Sequence, residues 1–437
     1  MNSSSSSLSG LPKVVIVGGG FAGLYAARAM KRAPVKITMV DKENFHLFQP
    51  LLYQVATAAL NPSDIAYPLR AALRRQKNVT VLLGQAEAIH LSEKKIDLSN
   101  GRLTYDYLLL ATGATPSYFG NNQWASHAPG LKTIADALEI RRRIFLAYEA
   151  AERESDEQKR QEWLTFAVIG GGPTGVELAG ALAEIGFQTL AKEFRRIDPG
   201  MIRVLLIEGQ DRILSSYSPE MSRKAEQQLE KLGVEVWTDS LVSDLTESSV
   251  VLGTSTIASR TILWAAGVEA SPLARSLSVE LDRTGRVVVE DDLSIPGYHH
   301  VFVAGDLASV HFGEGEISGF VPGIAPAAIQ GGLHAAHNIT QLIQDQATLP
   351  FRYKDKGTLA TIGRAAAVAQ FKRVRFSGFV AWIAWLAIHI FFLVGFRNRL
   401  WVLSGWAWSY LTFQRGARLI TGRHRYQELP TISDGGP

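Results

Sequence analysis

The sequence predicts an α/β protein built on two doubly wound parallel sheets, followed by an apolar, basic C-terminal segment. The main observation is an internal repeat, VVIVGGGFAGLYAARAM at 14–30 and FAVIGGGPTGVELAGAL at 166–182. Each copy has an apolar run short enough for a buried strand, a glycine-rich turn and an Ala- and Leu-rich stretch with helical spacing. A second apolar run follows each copy, at 36–41 and 203–208. Two such strand–turn–helix–strand units predict two Rossmann-like dinucleotide-binding domains.

Further apolar runs indicate how the two domains share the chain. LLLATG at 108–113 is predicted to return to the first sheet, and TILWAAGV at 261–268 has the same place in the second. VFVAGD at 301–306 is another buried strand, and a helix is expected to begin near Pro326. The charged stretch 135–163 has the pattern of a helical connector. We therefore expect the second domain to be inserted in the first.

The two ends of the chain differ from the middle. MNSSSSSLSG lacks the apolar core of a signal peptide and is typical of a disordered tail, so the folded part is expected to remain in the cytoplasm. TLATIGRAAAVAQF at 358–371 alternates around Gly363 and Arg364, as a hairpin does. The predicted divisions are a tail at 1–10, a first domain at 11–115 and 281–350, a second at 116–280, and a hairpin with membrane-anchoring helices at 351–437.

Each glycine-rich turn has the spacing of a phosphate-binding turn. In the first turn, Gly18 permits the tight bend, Gly20 lets the backbone approach a pyrophosphate, and Gly23 lets helix and strand pack closely. The phosphates then lie at the positive end of the helix dipole. Asp41, at the end of the next strand, is expected to accept a hydrogen bond from a ribose; a solvated loop carboxylate is the alternative.

The second turn repeats this arrangement with Gly170, Gly172 and Gly175, and Glu208 ends its second strand. A carboxylate there favours a free ribose 2′-hydroxyl over a 2′-phosphate, which predicts a preference for NADH over NADPH. Arg212 lies four residues further on and would soften that preference. One GxGxxG is weak because many turns have it, but two copies in this setting, each with its acid, are specific.

Composition excludes several classes of function. The chain has no cysteine, so disulfides, thiolate metal sites and redox-active thiol pairs are excluded. The net charge is only +4, but residues 371–426 contain nine Lys or Arg and no Asp or Glu. These cations surround the most apolar segment instead of a recognition surface, which favours an anionic lipid surface over a nucleic acid.

The order of these motifs resembles the two-dinucleotide-binding-domain flavoproteins, and most closely the type II NADH:quinone oxidoreductases, over about residues 12–425. NFHLFQPLLYQVATAAL at 44–60 resembles that family's loop beside the flavin ring, GGGPTGVELAGALAE at 170–184 its NADH unit, and KGTLATIGRAAAVA at 356–369 the segment before its membrane anchor. The resemblance implies FAD in the first domain and NADH in the second. Related disulfide and sulfide:quinone reductases need cysteines, which this chain lacks.

The resemblance also extends the expected cofactor contacts. Besides the glycine turns and their acids, the FAD residues would be Lys42, Gln54, Ala111, Thr112, Gly113, Gly305 and Asp306. Gly267 would join the NADH residues. Glu177, on the first helix of the second domain, has the family position that faces the nicotinamide and the flavin, with a role in substrate positioning or proton delivery. An ordinary polar helix residue is the alternative for Glu177.

A quinone site is expected at the start of the helix near Pro326. The family motif AQxAxQ corresponds to Ala325–Gln330, with Pro326 in place of the first Gln, a substitution that suits a first helical turn. Gln330 is the expected hydrogen-bond donor to a quinone carbonyl, with Gly323 and Ala327 beside it, although a solvated helix residue is the alternative. His334 and His337 have the spacing of a metal pair, but packing is favoured because no acidic partner is near, and no metal is expected.

The C-terminal segment predicts attachment to a membrane. Residues 376–396 have no charge and could span a bilayer, while basic residues on both sides give no orientation. Five of the nine Trp lie within 382–408, as at a lipid interface. Pattern alone leaves spanning and interfacial helices open, with a buried helical hairpin or dimer contact as a third possibility. The resemblance favours a monotopic protein on the cytoplasmic side of the inner membrane, and a homodimer.

The sequence therefore predicts a respiratory enzyme that oxidises NADH on FAD and reduces a membrane quinone without pumping protons. One alternative is an NADH-dependent reductase of a protein acceptor such as a ferredoxin. Another is an NADH-sensing flavoprotein that signals through dimerisation. The apolar C-terminal segment argues against the first alternative.

Overall fold

A computed structural model describes residues 10–190, 193–312, 319–372, 374–412, 416–421 and 429–430, without side-chain detail at 396–397 and 409–412. Nearly all of the predicted N-terminal tail and the cations Arg373, Arg415, Arg423 and Arg425 lie outside the described residues. The chain forms two compact units. The first comprises residues 1–47, 66–115 and 268–356, and the second comprises 48–65, 116–267 and 357–437.

The principal strands, in chain order, are β1 (Lys13–Val17), β2 (Lys36–Asp41), β3 (Val79–Leu83), β4 (Tyr107–Leu110), β5 (Thr165–Ile169), β6 (Arg203–Ile207), β7 (Val234–Trp237), β8 (Thr261–Trp264), β9 (Ser294–Ile295), β10 (Tyr298–Val303), β11 (Thr358–Gly363), β12 (Ala366–Phe371) and β13 (Val374–Ser377). The principal helices are α1 (Phe21–Ala29), α2 (Leu52–Ala56), α3 (Ile134–Arg153), α4 (Pro173–Glu184), α5 (Pro219–Lys231), α6 (Ala325–Ile343), α7 (Phe379–Phe392) and α8 (Phe396–Thr412).

The first unit is built on a six-stranded sheet in the order β9–β10–β4–β1–β2–β3. All neighbours are parallel except β9, which pairs antiparallel with β10. The central strand β1 is buried at four of its five positions, because Val and Ile fill both faces of the sheet. Helix α6 packs closely on α1, since a Cβ added to Gly332 would lie 2.2 Å from the Ala22 carbonyl oxygen.

The second unit is built on a four-stranded parallel sheet in the order β7–β6–β5–β8. The second unit also includes residues 48–65, which the sequence prediction had assigned to the first domain. Residues 48–65 are bound to helix α3 of the second unit by Arg141. The buried guanidinium of Arg141 donates to the carbonyl oxygens of Val55 and Leu60 at 2.6–2.8 Å. The middle segment of the second unit ends at Gly267, so residues 268–280 lie in the first unit and not, as predicted, in the inserted domain.

The C-terminal part of the second unit begins with the predicted hairpin, β11 and β12, extended by β13 to three antiparallel strands. The uncharged segment 376–396 is not one helix. Phe376 and Ser377 pair with β12, Gly378 turns the chain at φ +73°, and α7 begins at Phe379. Within the described part of the chain, no helix combines the length and the apolar character needed to cross a membrane.

Candidate functional site

The first glycine turn joins β1 to α1 and is held by a carboxylate. Gly18 adopts φ +107°, and a Cβ there would lie 2.3 Å from the Ala111 carbonyl oxygen, so only glycine fits. Asp41 accepts hydrogen bonds from the Gly19 N–H at 2.5 Å and the Glu43 N–H at 2.7 Å. Burial raises the pKa of Asp41, and these N–H donors oppose the rise.

The second turn, between β5 and α4, repeats this geometry. Gly170 adopts φ +106° against the backbone of Ala265 and Ala266. Glu208 accepts hydrogen bonds from the Gly171 N–H at 2.6 Å and the Gln210 N–H at 2.8 Å. Each predicted ribose-binding acid is therefore also the residue that holds its own glycine turn, a function that the spacing of the motifs did not reveal.

Other predicted FAD residues surround the first turn within the first unit. A Cβ at Gly20 or Gly113 would meet no atom within 4 Å, so both positions border open space. The hydroxyl oxygen of half-buried Thr112 is itself buried and has no hydrogen-bond partner among the described residues. Lys42 is exposed one residue after Asp41. This set combines open space at the turn with an unused polar atom, as a phosphate-containing ligand requires.

A cavity of about 230 Å³ also lies in the first unit, at the carboxyl end of β10. Gly305 and Asp306 line it, together with Gly323 and Ala327 from the predicted quinone set. Gln330 does not line it. Its side-chain amide donates to the Lys354 carbonyl oxygen and accepts from the Lys354 N–H, both at 3.0 Å. The amide of Gln330 is thus engaged in holding the segment that ends the first unit.

Of the two histidines on α6, His334 packs as expected, whereas His337 is exposed. The His334 ring donates to the Leu349 carbonyl oxygen at 2.8 Å and lies 5.3 Å from the ring centroid of Phe351. Burial lowers the pKa of His334, which favours the neutral ring. In the described residues, no cluster of acidic and histidine side chains has the arrangement of a metal site.

Glu177 lines a second cavity, of about 110 Å³, which lies within the second unit. Its carboxylate accepts a hydrogen bond from the Thr361 N–H of β11 at 3.4 Å. The indole N–H of Trp385 approaches the carboxylate without completing a hydrogen bond of ordinary geometry. Burial raises the pKa of Glu177 to about 8, and these two N–H groups oppose the rise only in part. Glu177 is therefore largely protonated at neutral pH.

Gln54, which belongs to the second unit, borders the same cavity. Its side-chain amide donates to the Tyr53 hydroxyl at 2.9 Å and accepts from the Trp406 indole N–H at 2.7 Å. Helices α7 and α8 thus supply Trp382, Trp385 and Trp406 to one wall of the cavity. Trp385 stacks on His389, with ring centroids 4.0 Å apart, and burial lowers the pKa of His389 to about 4.

The comparisons with known proteins cover nearly the whole chain. Residues 12–332 match the pyridine nucleotide-disulphide oxidoreductase family, and residues 356–415 match the NDH2 C-terminal domain. The chain is 45% identical to the type II NADH:quinone oxidoreductase NdhA of Mycobacterium tuberculosis, over 97% of this chain and 92% of that protein. The chain belongs to the type II NADH:quinone oxidoreductases.

A second curated member of this family, Ndh of M. tuberculosis, is 44% identical over 95% of this chain and 91% of its own length. The fold is also that of the family. The structure of NDH2 from Plasmodium falciparum in complex with NADH superposes with a TM-score of 0.83 at 19% identity, covering 94% of this chain and all of that chain.

The sequence pattern missed the two residues that flank Glu177 in this type II NADH:quinone oxidoreductase. Thr361 contributes only a backbone N–H, which no side-chain pattern can reveal. Trp385 was part of a tryptophan-rich segment that suggested a lipid interface, yet it is 1% exposed. Ala381 and Trp385, both buried, lie four residues apart on one helix face, and this spacing gave no sign that the face meets a carboxylate.

Proposed function

We infer that this protein oxidises NADH and, using bound FAD, reduces a quinone to the quinol, without pumping protons. The observation that carries this function is the match over nearly the full length to named type II NADH:quinone oxidoreductases. Two acid-held glycine turns in one chain support it, because a flavin and a nicotinamide dinucleotide need one turn each. The absence of cysteine supports an electron path without a thiol.

We propose the first unit as the Rossmann-like FAD domain, with the second as an inserted NADH domain. The residues of the first unit fit FAD. The glycine turn borders open space at Gly20, the Thr112 hydroxyl has no hydrogen-bond partner among the described residues, and Asp306 lines the cavity at the end of β10. Asp41 would bind the ribose, and the N-terminus of α1 the phosphates. Bound FAD would accept electrons from NADH as a hydride and pass them on to a quinone.

In the second unit, Gly170, Gly172 and Gly175 would hold the pyrophosphate of NADH, and Glu208 its adenosine ribose. The Glu208 carboxylate still has lone pairs for a ribose hydroxyl after accepting from the Gly171 and Gln210 N–H groups. A 2′-phosphate at this position would face that carboxylate, so NADH is preferred over NADPH.

Glu177 would act as a proton donor to the quinone oxygen. Its raised pKa keeps a proton available near neutral pH, which is the condition for a general acid. The Thr361 and Trp385 N–H groups then stabilise the carboxylate left after the proton departs. A proton from solvent restores the acid.

Two groups of residues are candidates for binding the quinone carbonyls. One is the predicted set Gly323, Ala327 and Gln330 of the first unit. The other is the cavity of the second unit, where Trp385 offers a buried N–H donor without a completed hydrogen bond and two further Trp rings form an apolar wall. The second group combines a donor, an acid and apolar surface in one place, as quinone recognition requires.

We propose that α7 and α8 attach the enzyme to the cytoplasmic face of the inner membrane as a peripheral protein. Their exposed side chains support this: Phe379, Val380, Ile383, Phe391, Leu400, Trp401, Leu403 and Trp408. Lys372, Arg375 and Arg399 lie nearby in the chain and would meet anionic headgroups. A homodimer remains part of the proposal, on the family resemblance alone.

The function is tested by anaerobic stopped-flow of the purified holoenzyme, following flavin absorbance at about 450 nm. NADH is mixed first and a soluble quinone second. Rapid bleaching by NADH and rapid recovery with quinone are expected. Bleaching without recovery would reject quinone as the acceptor and favour a protein acceptor or a sensing role, and no bleaching would reject NADH.

The same experiment separates the two quinone candidates. Trp385→Phe removes the indole donor but keeps an aromatic ring, and it is expected to slow flavin recovery by about tenfold while sparing bleaching. Gln330→Ala is expected to slow recovery only if its amide binds quinone. If Gln330 instead serves the Lys354 backbone, its loss lowers the melting temperature and spares both half-reactions.

A further inference from the structure

Two large apolar side chains are exposed on the inserted domain, among its described residues 116–190 and 193–267. Leu241 is 78% exposed and Phe119 is 67% exposed. Each lies against a glycine that follows a parallel strand. A Cβ on Gly209, after β6, would lie 3.2 Å from Leu241 Cδ1, and a Cβ on Gly267, after β8, would lie 2.8 Å from Phe119 Cζ. Both side chains therefore lie at the carboxyl edge of the sheet.

The backbone of Phe119 is strained. Its φ of +52° lies in the left-handed region, which costs a bulky residue about 1–2 kcal/mol. The loop is held there from its base: the Ser117 N–H donates to the Gly267 carbonyl oxygen at 3.1 Å, and the Trp264 indole N–H donates to the Ser117 carbonyl oxygen at 2.7 Å. In the free protein the exposed ring makes few contacts that would offset this backbone strain. Strained residues cluster at ligand-binding sites, so the strain points to a ligand.

The strand order gives the direction in which a dinucleotide would lie. The glycine turn follows β5, between β6 on one side and β8 on the other. Glu208 at the end of β6 marks the adenosine side, and Gly170 contacts the Ala265–Ala266 backbone on the side of β8. With the phosphates at the N-terminus of α4, the nicotinamide half extends towards β8 and Gly267. Leu241 and Phe119 thus lie at opposite ends of the dinucleotide path.

We propose that Phe119 forms a wall of the nicotinamide site and Leu241 a wall of the adenine site, an inference that rests on NADH binding by the second unit. Each side chain packs on the backbone of a glycine at the end of a strand. From there it presents apolar surface to one ring of the ligand. Binding would bury both side chains, and the Phe119 ring would exclude water from the nicotinamide.

The test uses full-length, FAD-containing protein and two non-reacting ligands, NAD⁺ and ADP-ribose, whose dissociation constants are measured by calorimetry. Phe119→Gly is expected to weaken NAD⁺ about tenfold and to leave ADP-ribose unchanged, because ADP-ribose lacks the nicotinamide. Leu241→Ala is expected to weaken both ligands by similar factors. The two variants serve as controls for each other.

Thermal melting separates ligand binding from a role in folding. Glycine adopts φ +52° without strain, so Phe119→Gly is expected to melt no lower than Phe119→Ala while binding NAD⁺ equally weakly. Wild-type affinity for NAD⁺ in Phe119→Gly, or an equal loss of ADP-ribose affinity, would overturn the assignment of Phe119. If instead wild-type protein binds neither ligand and NADH does not bleach its flavin, the proposed function itself fails.

Discussion

At the scale of single residues, the proposed role of Glu177 as a proton donor depends on its protonation state. Its carboxyl group lines a cavity whose other walls include three Trp side chains and the backbone of β11. Burial of the carboxylate raises the pKa from an ordinary value of 4.5 to about 8. The group is therefore an acid at neutral pH and becomes a buried anion only in alkaline solution.

Glu177→Gln is expected to slow quinone reduction about a hundredfold at neutral pH, because the amide has no acidic proton. In wild type, the rate of flavin recovery should fall as pH rises through about 8. The variant should lose this dependence. Glu184→Gln, which changes another carboxylate of the same cavity, is the matched control and should retain it. A variant that keeps the wild-type pH profile would contradict the role of Glu177.

The same pKa has a consequence for stability. A carboxyl group whose pKa is raised by folding favours the folded state below pH 4.5, and this contribution is lost as pH rises towards about 8. Wild type should therefore lose stability relative to Glu177→Gln over that interval, which parallel thermal melts at several pH values would measure.

At the scale of elements, α4 and β11 approach each other closely in the second unit. A Cβ on Gly180 would lie 1.6 Å from the Ile362 carbonyl oxygen, so helix and strand meet backbone to backbone. This contact places the Thr361 N–H beside Glu177, three residues earlier on α4. The hairpin thus lines the cavity that contains Glu177 and is not merely a spacer before the C-terminal helices.

Gly180→Ala is expected to destabilise the protein by about 3 kcal/mol or more, because the added methyl group would force backbone apart. Chemical denaturation monitored by tryptophan fluorescence would measure the loss. Gly405→Ala on α8 is the control. A Cβ there meets no atom within 4 Å, so alanine should be neutral or stabilise by up to about 1 kcal/mol.

The same contact shows where inference from sequence ends. The repeat predicted both glycine turns and the strands beside them, because local periodicity and spacing determine these elements. The alternation at 358–371 likewise predicted the hairpin. Gly180, however, is one small residue in a helix rich in alanine, and nothing local says that β11 will pack on it. The assignment of 48–65 to the second unit was missed for the same reason, because it depends on the buried side chain of Arg141.

At the scale of the whole molecule, a run of basic residues and exposed apolar side chains occur in the same C-terminal segment. Residues 371–426 contain nine basic and no acidic residues, and α7 and α8 expose Phe, Leu and Trp side chains. A surface of this composition favours the interface of an anionic bilayer, where apolar side chains enter the headgroup boundary and cations meet lipid phosphates.

Trp401→Glu is expected to weaken binding to vesicles that contain anionic lipid by about tenfold, and added salt should weaken wild-type binding. Co-sedimentation would measure both effects. Leu349→Glu, at an exposed position of the first unit, is the control and should bind vesicles as wild type does. Oxidation of NADH with a soluble quinone should be unchanged in both variants. Equal vesicle binding by wild type and Trp401→Glu would argue against membrane contact through α8.

The hydrogen bond from the Gly171 N–H to Glu208 bears on the redesign of coenzyme choice. Replacing this acid with a small or basic residue, to admit a 2′-phosphate, would also remove the acceptor that holds the glycine turn. A redesigned enzyme would then have room for NADPH, but its phosphate-binding glycine turn would be less ordered. Glutamine at 208 keeps an acceptor oxygen and removes the charge. It is therefore the better starting point for an engineered NADPH-dependent form.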